Sequence, residues 1–342
     1  MKIHQMSKNE LIEIIRLNKE QTALSISQSA LLLKQKYYGD KIFARGLIEI
    51  SNICKNNCLY CGIRAENKNV TRYRLSKEQI LSCCDTGYRL GFRTFVLQGG
   101  EDLFYTDLIM CDIISSIKEK YPDCAVTLSI GEKSKDTYRA YKSAGADRFL
   151  LRHETADGCH YSKLHPETMT LEARKKCLYD LKNCGFQVGA GFMVGSPYQT
   201  EENLAEDLLF LKELEPQMVG IGPFLPHHDT PFAEFAKGSY NLTITMLALT
   251  RLMLPKVLLP ATTALATLDE KRGRYDAFLS GANVVMPNLS PSEYRESYSL
   301  YDNKLSTGKE AAQSIRLLEK EIKKAGFSLD MSRGDNVDFQ EG

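Results

Sequence analysis

The sequence predicts an α/β fold, a (β/α)8 barrel of the TIM type with an N-terminal helical cap and a C-terminal helical extension. Three observations predict it. Eight apolar, β-branched-rich runs of strand length occur at 43–51, 94–100, 125–131, 148–154, 187–195, 218–226, 258–264 and 282–288. Helical patterns fill the intervals, as at 76–87, 108–120, 134–144, 171–184 and 201–214, and that alternation indicates βαβ units in a parallel sheet. Most runs end in polar groups unsuited to a core, and barrel active sites are built from strand C-termini. Eight repeats in about 245 residues match the count and size of a closed barrel.

The chain of 342 residues is long enough for one large barrel or two average domains. No low-complexity linker interrupts the series. One domain over 1–342 is therefore expected, with helices at 1–40, the barrel at 41–290 and an extension at 291–342. With 43% hydrophobic residues there is material for a large core. A net charge of +1 gives no sign of a nucleic-acid or acidic-membrane partner. No apolar run reaches the ~18 residues needed to span a bilayer, and Met1-Lys2-Ile3-His4-Gln5 lacks the apolar core of a signal peptide. A cytoplasmic protein is expected. Ten cysteines there serve as ligands or free thiols rather than disulfides.

In chain order, Ser7-Lys8-Asn9-Glu10 is a capping box before Leu11, Ile12, Ile14, Ile15 and Leu17 at helical spacing. A second helix covers 24–36 and ends near Tyr37-Tyr38-Gly39. The strand runs then end in Gln98-Gly99-Gly100-Glu101-Asp102, Thr127-x-Ser129-x-Gly131-Glu132 and Arg152-His153-Glu154. The later ones end in Pro226-His227-His228-Asp229, Thr262-Thr263 and Met286-Pro287-Asn288. Past 290, Tyr294, Tyr298 and Tyr301 surround Arg295, and Thr307-Gly308-Lys309-Glu310 is a capping box for a helix reaching Ala325. The polar tail 327–342 is expected to be partly disordered.

The stretch with the sharpest chemistry is Cys54-x3-Cys58-x2-Cys61, directly after the first strand. Thiolates are soft ligands that select zinc, copper(I) or iron–sulfur clusters. A closed zinc site wants four ligands, and no fourth Cys or His lies within the next twenty residues. Three thiolates can instead hold three irons of a 4Fe-4S cube and leave the fourth iron open. Zinc completed by a distant ligand, or thiols packed as small hydrophobes, are the bland alternatives. The remaining cysteines show no tight pattern beyond Cys83-Cys84.

With Tyr60 before its last cysteine, this motif resembles the signature of radical S-adenosylmethionine (SAM) enzymes. The strings RGLIEISNICKNNCLYCGIRAENKN, LQGGED, VTLSIGE, DRFLLRHETAD, GAGFMVG, MVGIGPFLPHHDTP, PATTA and GANVVMPN resemble the HydE-type maturases of FeFe hydrogenase. The resemblance covers about residues 40 to 300; methylornithine synthase and biotin synthase resemble these strings less closely. It implies a barrel enzyme with one 4Fe-4S cluster and SAM. A 5′-deoxyadenosyl radical would attack the sulfur of a cysteine-bound iron carbonyl cyanide complex, in assembly of the hydrogenase di-iron subcluster. A one-electron donor such as ferredoxin or flavodoxin, and other hydrogenase maturases, are the implied partners.

Carried over by motif, Cys54, Cys58 and Cys61 would hold the cluster. Tyr60, Gln98, Gly99, Gly100, Glu101, Ser129, Glu154, Arg174 and Met193 would line the SAM site. Arg152, Thr127, Thr262 and Thr263 would form an anion pocket, and Arg45, Met286 and Tyr298 would lie near the substrate. The residue chemistry agrees: an arginine with threonine hydroxyls makes an anion receptor, and Met286 offers a soft wall. Three departures from the family pattern stand out. The C-terminal region has no cysteines for an auxiliary cluster, so none is expected. Gly99 replaces a serine that is usual in the family, and Tyr198 stands where glycine is common. A related enzyme acting on a small amino acid and a non-catalytic iron–sulfur carrier are the competing readings.

Overall fold

In the computed structural model, which describes residues 3–305 and 311–339, the predicted series closes on itself. Strand β1 (Lys41–Ala44) runs into β2 (Gly46–Ser51), and β3 (Thr94–Gly99), β4 (Ala125–Ser129), β5 (Arg148–Leu150), β6 (Gln187–Val194) and β7 (Met218–Pro223) follow, all parallel, in the sheet order β2-β3-β4-β5-β6-β7. The seventh position is held only by single bridges, Met218 to Leu258 and Pro260 to Val284. β8 (Val284–Val285) pairs with β1, and Leu47 bridges Asn288, which completes the ring. The run predicted at 258–264 is thus shortened: Pro260 lacks a ladder donor, and Thr262 caps a helix, Thr263–Leu268, that starts within the predicted strand.

The helix reading holds where caps are clear. Ser76, Thr106, Ser134, Thr170 and Thr200 each accept a backbone N–H at the start of helices Lys77–Arg89, Asp107–Lys120, Lys135–Ser143, Leu171–Asn183 and Glu201–Leu214. The capping box at Ser7 and Glu10 opens helix Lys8–Leu17, and the second helix, Leu24–Tyr38, ends at Gly39 with φ +61°. These two helices lie on the flank of the ring: Lys8 pairs with Glu206, Lys19 with Glu201, and Thr22 with Thr245. Helix Tyr240–Met253, buried from Leu242 to Met253, had no clear period in the sequence. The proposed Thr307–Glu310 capping box lies outside the described residues; its helix is described as Ala311–Lys324.

The tail corrects the expectation of disorder. Strand β9 (Ser328–Asp330) pairs in parallel with β1, and the residues after it plug the N-terminal floor of the barrel. Arg333 pairs with Asp147 at 3.0 Å and Asp335 with the fully buried Arg148. Asn336 donates to the carbonyls of Gln217 and Lys256 at 3.3 and 2.7 Å. Among the described residues, this segment thus packs across the N-terminal floor of the barrel, away from the C-terminal ends of its strands.

Candidate active site

The loop after β2 carries Cys54, Cys58 and Cys61, and several elements fix it. Gly100 lies so close beneath it that a Cβ there would run into the Ile53 carbonyl and Cys54. Glu101 N–H and Asn56 N–H point at Cys54 Sγ, at 3.4 and 3.5 Å. From the far side Arg72 donates to the carbonyls of Asn52, Ile63, Arg64 and Asn67 at 2.5–2.9 Å. Sequence reasoning missed this brace; a lone arginine beyond the motif gave no signal. Burial pushes the Cys61 thiol up to about 12 and raises Cys54 and Cys58 as well, with neighbouring thiols adding to the effect at Cys58 and Cys61. Such thiols stay protonated unless a bound metal takes the proton's place.

The three thiols lie close enough for Cys61 and Cys54 both to act on Cys58, and Cys54 on Cys61. Three thiolates on one short loop are a donor set for a 4Fe-4S cube with one open iron. The thioether of Met169 lies 3.9 Å from Cys58 Sγ.

Beside the loop, the residues expected for SAM gather at the ends of β3 to β6. Gln98 and Ser129 sit in register on β3 and β4. Glu154 follows β5 with φ +66°, a left-handed backbone that costs a glutamate energy and persists at sites where function selects it. Its N–H is held by the Gly191 carbonyl at 3.0 Å. Glu154 Oε2 ion-pairs with Arg152 Nη2 at 3.1 Å, out of hydrogen-bond alignment, and accepts no hydrogen bond though buried. Arg174, at the start of its helix, turns inward: its Nε donates to Glu132 at 2.5 Å and its Nη1 to the Arg152 carbonyl at 2.6 Å. Glu132 was visible only as part of a strand-end string. Glu101 supports rather than faces the site, accepting from Glu132 N–H at 3.0 Å and pairing with Lys55 at 3.1 Å.

Tyr60 and Met193 share a small apolar cluster with Leu164, Phe224 and Phe232. Tyr60 meets His165 edge-on, its hydroxyl 3.3 Å from Nε2, and burial together with Arg174 pushes His165 down to about 3. Gln199 clamps the turn after β6, donating to the Met193 carbonyl at 2.8 Å and accepting from Gly195 N–H at 2.6 Å. Gly191, at φ +152°, brings β6 so close to the Gly220 carbonyl that no side chain would fit.

Deeper in, Thr127 on β4 and Arg152 beyond β5 present Oγ1, Nε and Nη2 that are buried without hydrogen-bond partners. Arg152 and Thr262 both approach the bare backbone of β7, Arg152 at Gly220 and Thr262 at Gly222. Thr262 also caps its helix through Leu265 N–H at 3.4 Å. Thr263 and Met286 line a side cavity of about 480 Å³ with Glu49, Asn288 and Lys304. Tyr298, fully buried, accepts from Gln98 Nε2 at 3.2 Å and lies under Lys304. Lys304 ion-pairs with Glu49, which also accepts from Asn288 at 2.8 Å; this trio was missed, because Lys304 lies in no strand-end motif.

Arg45 does not join them. It sits at the floor, its Nη1 2.9 Å from Met218 Sδ and its Nη2 3.4 Å from the Gly334 carbonyl. A residue at the start of β2 is four residues below the mouth-facing Glu49, so matching a motif did not place it at the rim.

Behind the cluster loop, His227, His228 and Asp302 come together. His227 Nδ1 accepts from Asp229 N–H at 3.1 Å, which leaves the ring proton on Nε2 and no lone pair there for a cation. His228 is held by Asp302 at 2.7 Å. The group clamps the 299–303 segment over the loop, where Gly62 N–H donates to the Leu300 carbonyl at 2.9 Å.

Residues 48–211 match the model of the radical SAM superfamily. The chain is 47% identical over 294 residues to the [FeFe] hydrogenase maturase subunit HydE of Thermotoga maritima, covering 86% of this chain and 83% of that one. The chain belongs to the HydE family of radical SAM enzymes. Against 3-methylornithine synthase of Methanosarcina acetivorans, this HydE-family chain is 28% identical over 88% of its own length and 85% of the relative's. The crystal structure of methylornithine synthase superposes with a TM-score of 0.84 at 26% identity, covering 95% of this HydE-family chain and 94% of that one. The parallel ring is thus shared with methylornithine synthase.

Proposed function

We propose that the protein binds a 4Fe-4S cluster on Cys54, Cys58 and Cys61 and SAM beside it, and acts in assembly of the FeFe-hydrogenase active site on a cysteine-bound iron carbonyl cyanide precursor. The observation that carries the reading is three half-buried free cysteines on one loop held against Gly100 and Glu101, with Thr127, Arg152 and Glu154 at neighbouring strand ends presenting buried polar atoms that lack hydrogen-bond partners. Bound there, cluster and SAM would supply one-electron cleavage of the sulfonium and a 5′-deoxyadenosyl radical.

The chain's own part is placement and exclusion of water. Glu154 Oε2, held by a left-handed backbone, offers an acceptor to an ammonium; Arg174, anchored by Glu132, offers charge to a carboxylate. Met193 and Tyr60 supply an apolar wall for the adenosyl group. Past them, Arg152 and Thr127 direct unmet donors to an anionic substrate, and Met286 faces a soft, apolar part of it. Tyr298 and Lys304 close the mouth from the C-terminal segment.

The competing reading is rearrangement of a small amino acid, favoured by the 0.84 superposition on methylornithine synthase. The higher identity to the maturase, 47% against 28%, favours the first. Anaerobic reconstitution, followed by assay of 5′-deoxyadenosine with the iron–cysteine complex or with lysine, decides between them. Turnover with lysine alone would overturn the maturase reading.

A further inference from the structure

His153 and Asp207 are wholly buried beside Glu154, and the chemistry proposed above makes no use of them. Their hydrogen bonds nevertheless converge on that residue. Gly191 N–H donates to His153 Nδ1 at 3.3 Å, which leaves the ring proton on Nε2. Nε2 in turn donates to Asp207 Oδ1 at 3.2 Å. The same oxygen accepts from Ala156 N–H at 2.6 Å. One carboxyl oxygen, on the helix Glu201–Leu214 that packs against β6, thus ties down the residue before Glu154 and the second residue after it.

Between those ties, Glu154 donates its N–H to the Gly191 carbonyl at 3.0 Å and accepts from Met193 N–H at 3.3 Å. Gly191 is therefore held at both ends, its N–H by His153 and its carbonyl by Glu154. A glutamate at φ +66° persists only where its surroundings over-determine it, and this set of bonds does so. The His153 ring is also gripped by Phe192 and Phe210, with centroids 5.9 and 4.9 Å away. Burial pushes the Asp207 carboxyl up and the His153 ring down, so neither charge is favoured there. A buried pair kept for stability alone can be replaced by packed apolar side chains with little loss. A pair that aims its neighbour cannot.

We propose that His153 and Asp207 are positioning residues for SAM: through Gly191 and Ala156 they hold Glu154 in its left-handed turn, so that its carboxylate meets the ammonium of SAM. This rests on the SAM-binding role given to Glu154 in the proposed function.

The test is the Kd for SAM, by calorimetry on the cluster-reconstituted protein. Asp207→Leu keeps most of the volume and removes the acceptor, and should raise the Kd about tenfold or more, the scale of a lost charge-assisted contact. Asp207→Asn keeps an oxygen for both N–H groups and should stay within about twofold of the unaltered protein. His153→Phe keeps a ring between Phe192 and Phe210 and should behave as the leucine variant does. Cluster absorbance should be unchanged in all three. In a Glu154→Gly background, Asp207→Leu and His153→Phe should each add less than about twofold, because glycine adopts the turn unaided and has no carboxylate to aim. A merely structural pair would instead weaken SAM equally in both backgrounds, and that result overturns the proposal. A normal Kd in His153→Phe, or failure of asparagine to rescue, overturns it as well. Should Asp207→Leu fail to take up the cluster, His153→Phe carries the same comparison. Absence of SAM binding in the unaltered protein would bring down the proposed function together with this role, whereas normal binding by the variants falls on the pair alone.

Discussion

Arg148 and Arg152 lie four residues apart along one strand direction of the same barrel, yet their surroundings are opposite. At the floor, Arg148 donates to Thr94 at 3.0 Å, to the Arg333 carbonyl at 2.7 Å and to Asp335, leaving only Nε without a partner. At the mouth, Arg152 Nη2 and Glu154 Oε2 face each other at 3.1 Å without hydrogen-bond alignment, and Arg152 Nε and the Thr127 hydroxyl have no hydrogen-bond partner. Buried polar groups without partners are costly. Where the chain closes that deficit itself, the residue is structural; where it leaves the deficit open, a ligand completes it. The floor holds the barrel shut and the mouth holds it ready.

The sharpest way to test the mouth is to remove its metal. Cys58→Ala should lose the cluster's visible absorbance and all SAM cleavage, because two thiolates cannot replace three; 5′-deoxyadenosine from that variant would sink the mechanism. Next, the two arginines should separate. Arg148→Ala removes a fully buried partner of Asp335, which keeps Arg333 at 2.9 Å and Gln187 at 2.6 Å, and should destabilise by about 2 kcal/mol, read from a denaturant midpoint. Arg152→Ala also takes the ion-pair partner from the buried Glu154 and should lower that midpoint as well, but keep SAM cleavage. It should weaken substrate binding by on the order of a hundredfold, the scale of two charge-assisted hydrogen bonds. Equal loss of SAM cleavage and substrate binding would move Arg152 into the SAM site.

Glu154→Gly should show the trade at the mouth directly. Glycine relieves the positive φ and should stabilise the fold by up to about 1 kcal/mol, while SAM affinity falls about tenfold or more. A variant that binds SAM normally would remove Glu154 from the site.

The smallest effect concerns pH. His165 is held near 3, below the unfolded value near 6.5. The unfolded chain therefore takes a proton that the folded one refuses. The stability His165 contributes is present above about 6.5 and is lost as pH falls from there toward 3. His165→Gln should make the urea midpoint fall less steeply between pH 7 and 5 than in the unaltered protein. Equal slopes would mean that the ring is not held neutral beneath Tyr60.

Much of this was legible before any coordinates. Capping residues such as Ser76 and Thr200 announce their helices locally, and the alternation of runs announces the barrel. The tail was misread because its composition is polar, and polar tails lacking partners are disordered. Its partners, Arg148 and Asp147, lie 186 or 187 residues earlier, a distance no local pattern spans. Arg72, Glu132 and Lys304 were missed for the same reason: each matters through a carbonyl or carboxylate that folding brings to it.

By itself, then, the order of residues determined the alternating elements, the three thiols on one loop and the family's motifs, since spacing, capping and ligand chemistry act over a few residues. Only the tertiary structure decided which polar groups are already answered by the chain and which stay open. Whether a buried charge has a partner depends on segments far apart in sequence, and closure of the ring is what brings them together or holds them apart.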